Sequence, residues 1–178
     1  MLEPTLLKQL ETYLTNLTLP ITLSIAIDDG KKSTELRALA EQISSLSPLI
    51  SLEESTTSSS RIPSLTVNGE SGSEMTFAGI PLGHEFTSLV LALLHSGGHP
   101  IKFTEQDIAQ VRSLTGNFAF ETYVSLSCQN CPDVVQVLNM MAAINPNIQH
   151  TMIDGALFEQ EISERNIMSV PSIYLNGK

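Results

Sequence analysis

The spacing of apolar residues along the chain predicts alternating helices and strands. Apolar side chains recur every three or four residues in stretches that predict helices, at 2–17, 33–46, 83–95, 104–113, 128–142 and 157–162. Shorter apolar runs between turn residues predict strands, at 21–27, 49–53, 63–69, 74–79, 118–126, 148–153 and 172–175. Pro20 ends the first helix, Ser33 is expected to cap the second, and the polar residues 56–60 are expected to form a loop. This order of elements predicts an α/β protein.

Two segments of the chain have nearly the same sequence, IPSLTVNG at residues 62–69 and VPSIYLNG at residues 170–177. The same order of helix, strand, helix and strand precedes each segment, which predicts a tandem repeat of one fold. The Gly- and Pro-containing stretch at 96–100 is the expected linker, so we place the first fold at 1–98 and the second at 99–178.

The two copies differ beyond the repeated segment. In the first copy a strand and a helix come next, whereas the chain ends at Lys178 before the second copy reaches either. A sheet edge left bare at that point would be a liability. We therefore expect this chain to be a piece of a longer protein, with its second fold incomplete.

Composition narrows the classes of partner. The net charge is −10 with nine Lys and Arg residues, which argues against nucleic acid as a ligand. The longest apolar run, 89–94, is too short to cross a membrane, and the N-terminus resembles no secretory leader, so the expected location is the cytoplasm. The acidity either keeps the protein soluble or steers it toward a partner with a basic docking face.

The chemistry of the chain is expected at Cys128 and Cys131, its two cysteines, in the motif Cys-Gln-Asn-Cys. The motif stands where a predicted strand gives way to a helix, so the Cys128 sulfur can face unpaired N–H groups and the positive end of the helix dipole. Such sites lower a cysteine pKa from ~8.5 to about 3.5–7.5. Cys131 lies one helical turn further on and is expected to be buried. We therefore predict Cys128 as the nucleophile and Cys131 as the resolving thiol.

A metal site is the alternative use of a Cys-x-x-Cys pair. Structural zinc takes four ligands, often a cysteine pair with two histidines three to five residues apart. None of the four histidines follows the cysteines at that spacing, and His95 and His99 flank the glycines of the linker. We therefore predict no metal at this motif.

Two prolines accompany the motif. Strand, Cys-x-x-Cys, helix and a later apolar-Pro step together resemble the thioredoxin-type arrangement. That resemblance implies a cis Val170-Pro171 bond, lying against the dithiol and offering its main chain to a partner, although Pro171 can also be an edge-strand proline. Pro132 is explained equally well by simple initiation of the helix.

The first copy has Asp28-Asp29-Gly30 where the second has its cysteines, so it cannot exchange disulfides. It is a scaffold, a docking surface or the source of one assisting group, for which Glu85 is the candidate. A carboxylate near the dithiol could take up and return protons as the thiols titrate. The alternative is a carboxylate placed at a helix start by the dipole, while His84 is expected to face solvent or to cap the turn.

Longer motifs resemble a known family. FAGIPLGHEFTSLVLALL at 77–94, GGHP at 97–100 and SLSCQNCPDVVQ at 125–136 resemble the N-terminal domain of the bacterial alkyl hydroperoxide reductase flavoprotein subunit, and the similarity spans nearly the whole chain. The resemblance implies two fused thioredoxin-like folds, of which only the second carries a redox pair.

The resemblance also implies a function. Electrons would come from a thioredoxin-reductase-like core of the same polypeptide, which carries FAD and is fed by NADH. They would pass through Cys128 and Cys131, with Glu85 at the family's acidic position, to the disulfide of a peroxiredoxin that reduces hydroperoxides. The full-length protein would be a homodimer. Because this chain has no Gly-x-Gly-x-x-Gly fingerprint, we expect it to hold neither cofactor and to be unable to oxidise NADH alone.

Two other functions are compatible with the motifs. One is a free-standing disulfide oxidoreductase resembling protein disulfide isomerase or glutaredoxin, which the incomplete second fold disfavours. The other is a non-catalytic thioredoxin-like docking module, which the intact cysteine pair disfavours.

Overall fold

The computed structural model describes residues 2–55 and 61–178, so the loop predicted at residues 56–60 lies outside the described residues. The helices are α1 (Pro4–Leu14), α2 (Lys31–Ser45), α3 (Phe86–Ser96), α4 (Glu105–Arg112), α5 (Cys131–Ile144) and α6 (Glu159–Glu164), with a 3₁₀ turn at Gly83–Glu85. The strands are β1 (Ile21–Ala26), β2 (Ile50–Glu54), β3 (Ser64–Gly69), β4 (Glu74–Ala78), β5 (Phe118–Val124), β6 (Ile148–Asp154) and β7 (Ser172–Leu175). The predicted α/β class is confirmed.

The start of α2 differs from the prediction. Gly30 is the N-cap, and Ser33 lies buried in the first turn of the helix. The Ser33 hydroxyl donates to Asp28 Oδ1 at 2.8 Å and accepts from the Asp28 N–H at 3.0 Å. Ser33 therefore closes the turn that precedes the helix instead of capping the helix. By contrast, Thr104 does cap α4, since its hydroxyl accepts from the Asp107 N–H at 3.1 Å.

All seven strands form one sheet in the order β2-β1-β3-β4-β6-β5-β7. We call α1 to α3, with their strands, the first unit, and α4 to β7 the second unit. They are joined where β4 pairs in parallel with β6, from Met75 opposite His150 to Ala78 opposite Ile153. Strands β1, β4, β5 and β6 all run in the same direction, so their C-terminal ends lie along one edge of the sheet.

One face of the sheet carries the main hydrophobic core. Alternate strand residues such as Leu23, Val67, Phe77 and Met152 are fully buried there, packed with α2, α3 and α5. The period of two in a strand explains this selection, because successive side chains point to opposite faces.

The opposite face differs between the two units. In the first unit it is polar and open, lined by Thr22, Ser24, Thr66 and Thr76 among others. In the second unit the short helix α6 covers it, and a smaller core of Ala78, Tyr123 and Ile153 lies beneath. In the described part of the chain, no helix combines the length and apolar character needed to cross a membrane.

Candidate redox site

The dithiol lies at the edge of the sheet where β5 ends. Beyond Val124 the chain turns, with the Cys128 N–H donating to the Ser125 carbonyl at 3.0 Å, and α5 begins at Cys131. The Cys131 N–H donates to Cys128 Sγ at 3.2 Å. The sulfur of Cys128 therefore sits at the N-terminus of α5, as predicted, where an N–H group and the helix dipole both favour the thiolate once the pair is reduced.

The two sulfurs differ in accessibility. Cys128 and Cys131 form a disulfide, in which Cys131 is fully buried while Cys128 is partly exposed beside the exposed Gln129 and Asn130. An outside thiol or disulfide can reach only the Cys128 side of the bond. The burial predicted for Cys131 is confirmed.

Glu85 lies fully buried at the end of the 3₁₀ turn that leads into α3. This turn packs against the start of α5, and the Gln136 amide on α5 donates to the Ser88 hydroxyl on α3 at 3.2 Å. Neither carboxylate oxygen of Glu85 has a hydrogen-bond partner within the described residues. Burial raises the pKa of Glu85 above its ordinary value, and the nearby Ser88 hydroxyl and His84 oppose the rise.

A main-chain contact ties this turn to the approach to the cysteines. The His84 N–H donates to the Leu126 carbonyl at 2.9 Å, while the His84 side chain is exposed, as one of its two predicted placements required. The first unit therefore reaches the second unit's redox site through the backbone of its last turn. Side-chain patterns carry no signal for such a bond, and the sequence reasoning did not find it.

The Val170-Pro171 peptide is cis, as predicted, and so is Ile62-Pro63 of the repeat. β7 pairs antiparallel with β5, with Ser172 opposite Tyr123. Continuing that register places Pro171 beside Val124 and Val170 beside Ser125, next to the dithiol. The main chain of Val170 forms no main-chain hydrogen bond within the described residues, which leaves its N–H and carbonyl open to a partner strand.

The equivalent turn of the first unit is built from oxygen atoms. Asp28 Oδ1 accepts from the Gly30 N–H at 2.8 Å and from the Ser33 hydroxyl, and these bonds hold the pKa of Asp28 below its ordinary value. The turn keeps the shape of a helix start but has no sulfur. It can support structure or docking, and it cannot exchange disulfides.

A buried hydrogen-bonded chain behind α5 was also missed from the sequence. His150 Nδ1 lies 2.7 Å from Asn139 Oδ1 and His150 Nε2 lies 2.8 Å from Thr122 Oγ1, all three residues being buried. Burial lowers the pKa of His150 to about 3, so the ring is neutral and ties α5 to β5 and β6. Across residues 2–55 and 61–178, no three His, Cys, Asp or Glu side chains gather in a way that could hold a metal ion.

Comparison with known proteins agrees with this geometry. A family model described as a thioredoxin domain matches residues 119–178. The chain is 56% identical over 179 residues to the alkyl hydroperoxide reductase AhpF of Pseudomonas putida, covering 100% of this chain and 34% of that protein.

Solved structures extend the comparison to the fold. The NTD_N/C domain of alkylhydroperoxide reductase AhpF from Enterococcus faecalis superposes with a TM-score of 0.90 at 30% identity, covering 100% of this chain and 92% of that one. A protein disulfide oxidoreductase from Aeropyrum pernix gives a TM-score of 0.82 at 22% identity, with 98% of this chain and 84% of that one covered, which shows the fold alone.

A tandem thioredoxin-like fold with a Cys-x-x-Cys pair at a helix start defines a dithiol–disulfide oxidoreductase domain, and the predicted fold class is confirmed. The chain belongs to the family of the N-terminal domain of the alkyl hydroperoxide reductase AhpF. It spans about a third of the length of the curated relatives that it matches, 34% in the case of the Pseudomonas putida protein.

Proposed function

We propose that this chain is a dithiol–disulfide electron carrier that reduces the disulfide of a peroxiredoxin. The observation that carries the proposal is the asymmetry of the Cys128–Cys131 pair, with one accessible sulfur at a helix N-terminus and one buried sulfur behind it. Kinship with the AhpF proteins of alkyl hydroperoxide reductases indicates the partner class.

The exchange takes two steps. The Cys128 thiolate attacks one sulfur of the partner disulfide, forming a mixed disulfide and releasing the other partner sulfur as a thiolate. Cys131, as a thiolate, then attacks Cys128 Sγ, which re-forms the Cys128–Cys131 disulfide and releases the second partner thiolate. Two electrons pass to the partner, and the partner thiolates take up two protons.

Glu85 is the group that we propose for proton exchange with Cys131. A buried carboxyl with a raised pKa holds its proton at a pH where an exposed glutamate has lost it. Such a group can accept the proton of the buried Cys131 thiol and return it when the pair is next reduced. The packing of its turn against the start of α5 supports this role.

Val170 and Pro171 are proposed to seat the partner chain. The open main chain of Val170 can pair with an extended segment of the peroxiredoxin beside its disulfide, as an added strand pairs with a sheet edge. Pro171 has no N–H of its own, so it keeps the chain here from pairing with itself.

The electrons are proposed to arrive from a reductase core in the same polypeptide. FAD and NADH would bind in that core, since this chain has no dinucleotide fingerprint. We further propose a boundary between the two thioredoxin-like units at 98/99, a homodimeric full-length protein and a cytoplasmic location.

The test is electron transfer from the pre-reduced chain to an oxidised peroxiredoxin, measured as the loss of the peroxiredoxin disulfide. We expect rapid transfer by the wild-type chain and none by Cys128→Ser. The exposed Ser127→Ala substitution, one residue away, is the matched control and should transfer normally. A wild-type chain that transfers no electrons, or a Cys128→Ser chain that still does, would contradict the proposal.

A further inference from the structure

A cluster of charged and aromatic side chains connects the first unit to the back of the redox site. We call it the Arg61 cluster, and its members are Arg61, Glu121, Tyr123, Glu161, Arg165 and Tyr174. Arg61, which precedes β3 in the first unit, donates from Nε to Glu161 Oε2 at 2.9 Å and from Nη2 to Glu161 Oε1 at 2.8 Å. Its Nη2 also donates to Glu121 Oε2 at 2.5 Å. One arginine thus binds two carboxylates of the second unit.

The cluster continues to the end of α6. Arg165 Nη1 donates to the other oxygen of Glu121 at 3.1 Å, and the Arg165 guanidinium lies 4.4 Å from the centre of the Tyr174 ring. The Tyr123 hydroxyl donates to Glu161 Oε1 at 2.6 Å. Side chains from β5, α6 and β7 are therefore all linked to one residue of the first unit.

The environment makes these bonds stronger than ordinary surface ion pairs. The exposed fractions of the paired side chains are 21% for Arg61, 17% for Glu121 and 26% for Glu161. The Arg61 guanidinium holds the pKa of Glu161 below its ordinary value, and burial raises the pKa of Tyr123 to about 12. A fork-shaped, partly desolvated arginine–carboxylate pair contributes more than the ~0–1 kcal/mol typical of exposed pairs.

The helix that Arg61 holds is short and leads directly to the proposed partner-binding residues. α6 has six residues, too few to be stable on its own. It ends at Glu164, and after Arg165 the chain continues through residues 166–169 to Val170 and Pro171. On this loop Met168 is 94% exposed, and the Ser172 hydroxyl donates back to the Ser169 carbonyl at 2.6 Å. The position of the loop therefore depends on the position of α6.

We propose that Arg61 is a positioning residue through which the cysteine-free first unit holds the loop at 166–171 in place for the partner protein. The inference rests on the proposed function, since the partner is the peroxiredoxin whose disulfide Cys128 attacks. It assigns the first unit a task that requires no sulfur.

Electrostatics explains why the loss of Arg61 should move the loop. Glu121 and Glu161 are both bound to the same Nη2 atom, so they lie close together. Without that cation the two carboxylates repel each other, and Arg165 remains bonded to Glu121 alone of the two. α6 then moves from β5, and the loop that follows it becomes less ordered. Cys128 and α5 lie across the sheet and keep their contacts.

The test compares Arg61→Met with Arg61→Lys and with Arg37→Met. Arg37 is the matched control because it forms a single, more exposed ion pair with Glu54 within the first unit. Three quantities are measured: KM and kcat for an oxidised peroxiredoxin, the rate with a small aromatic disulfide that needs no loop, and amide hydrogen exchange over residues 159–171.

We expect Arg61→Met to raise KM for the peroxiredoxin about tenfold, or 1.4 kcal/mol, with kcat changed less than about twofold. Its rate with the small disulfide should equal that of the wild type, and exchange over 159–171 should become faster. Arg61→Lys should fall between the two, because lysine keeps the charge but loses the fork. Arg37→Met should match the wild type throughout.

Two results would overturn the inference. One is an unchanged KM in Arg61→Met, and the other is an equal loss of rate with the peroxiredoxin and with the small disulfide, which indicates general damage. A wild-type chain that transfers no electrons to the peroxiredoxin contradicts the proposed function instead. In that case hydrogen exchange alone tests whether Arg61 orders the loop, and unchanged exchange would count against it.

Discussion

The N–H of His84 and the carbonyl of Leu126 are hydrogen-bonded at 2.9 Å, which joins the last turn of the first unit to the segment that leads into the cysteines. The two residues are far apart in sequence and belong to different units. The bond sets the turn carrying Glu85 against the start of α5. We expect the substitutions below to expose the effects of this arrangement and of the buried groups around it.

Gly83→Ala should destabilise the chain by about 1–2 kcal/mol or more, because Gly83 has φ +59°, in the left-handed region that disfavours a Cβ. A Cβ there would also lie 2.8 Å from the Leu126 carbonyl oxygen, so the backbone would have to move. The measurement is the free energy of unfolding in urea. Gly116→Ala is the control, since Gly116 also has a positive φ but its Cβ would meet nothing closer than 4.0 Å. Equal losses in the two variants would rule out the Leu126 clash.

Glu85→Gln should change how stability depends on pH. Burial raises the pKa of Glu85 in the folded state above its ordinary value of 4.5, so the wild type is favoured by this group below that pH and loses the benefit as the pH rises. The amide does not titrate. The variant should therefore gain stability relative to the wild type between pH 4.5 and the higher pKa of the folded state.

Denaturation in urea at a series of pH values measures this difference. Glu11→Gln, at an exposed position on α1, is the control and should run parallel to the wild type. If the Glu85→Gln and wild-type curves were also parallel, the carboxyl would not be buried in the folded protein.

His150→Gln should make stability less sensitive to acid. Burial lowers the pKa of His150 to about 3, below the 6.5 of an exposed ring, so the unfolded chain takes up a proton first as the pH falls. The wild type should lose up to about 1.4 kcal/mol per pH unit below pH 6.5 through this residue. The variant should lack that slope, although it should be less stable at pH 7 by about 1–3 kcal/mol, because the chain to Thr122 and Asn139 is broken.

The same unfolding experiments between pH 4 and pH 7 provide the measurement. His84→Gln serves as the control because the His84 side chain is exposed. A His150→Gln chain that kept the full acid slope would show that the ring is protonated in the folded state.

Cys131→Ser should accumulate a covalent complex with an oxidised peroxiredoxin. The proposed first attack by Cys128 still occurs, but no resolving thiol remains, so the mixed disulfide persists and turnover stops. Non-reducing electrophoresis and mass spectrometry measure the complex. Cys128→Ser should form none, because the remaining sulfur is buried. A complex formed by Cys128→Ser and absent in Cys131→Ser would reverse the assigned roles.

Much of the local structure was predictable because it depends on short-range patterns. The alternation over residues 21–27 predicted β1, and Thr104 predicted the start of α4. The cap assigned to Ser33 was wrong, since a serine near a helix start has two uses and the neighbouring Asp28 decides between them. The sequence pattern does not say which hydroxyl partner is nearer in space.

The order of helices and strands, the repeat and the position of Cys128 before a helix start could all be read from the amino-acid sequence. Each of these depends on residues within a few positions of one another. Three other features needed the folded chain: β4 pairs with β6 to unite two units in one sheet, Glu85 is buried without a hydrogen-bond partner among the described residues, and Arg61 reaches Glu161. These features join residues up to 100 positions apart, and the burial that sets their energies exists only once the chain has packed.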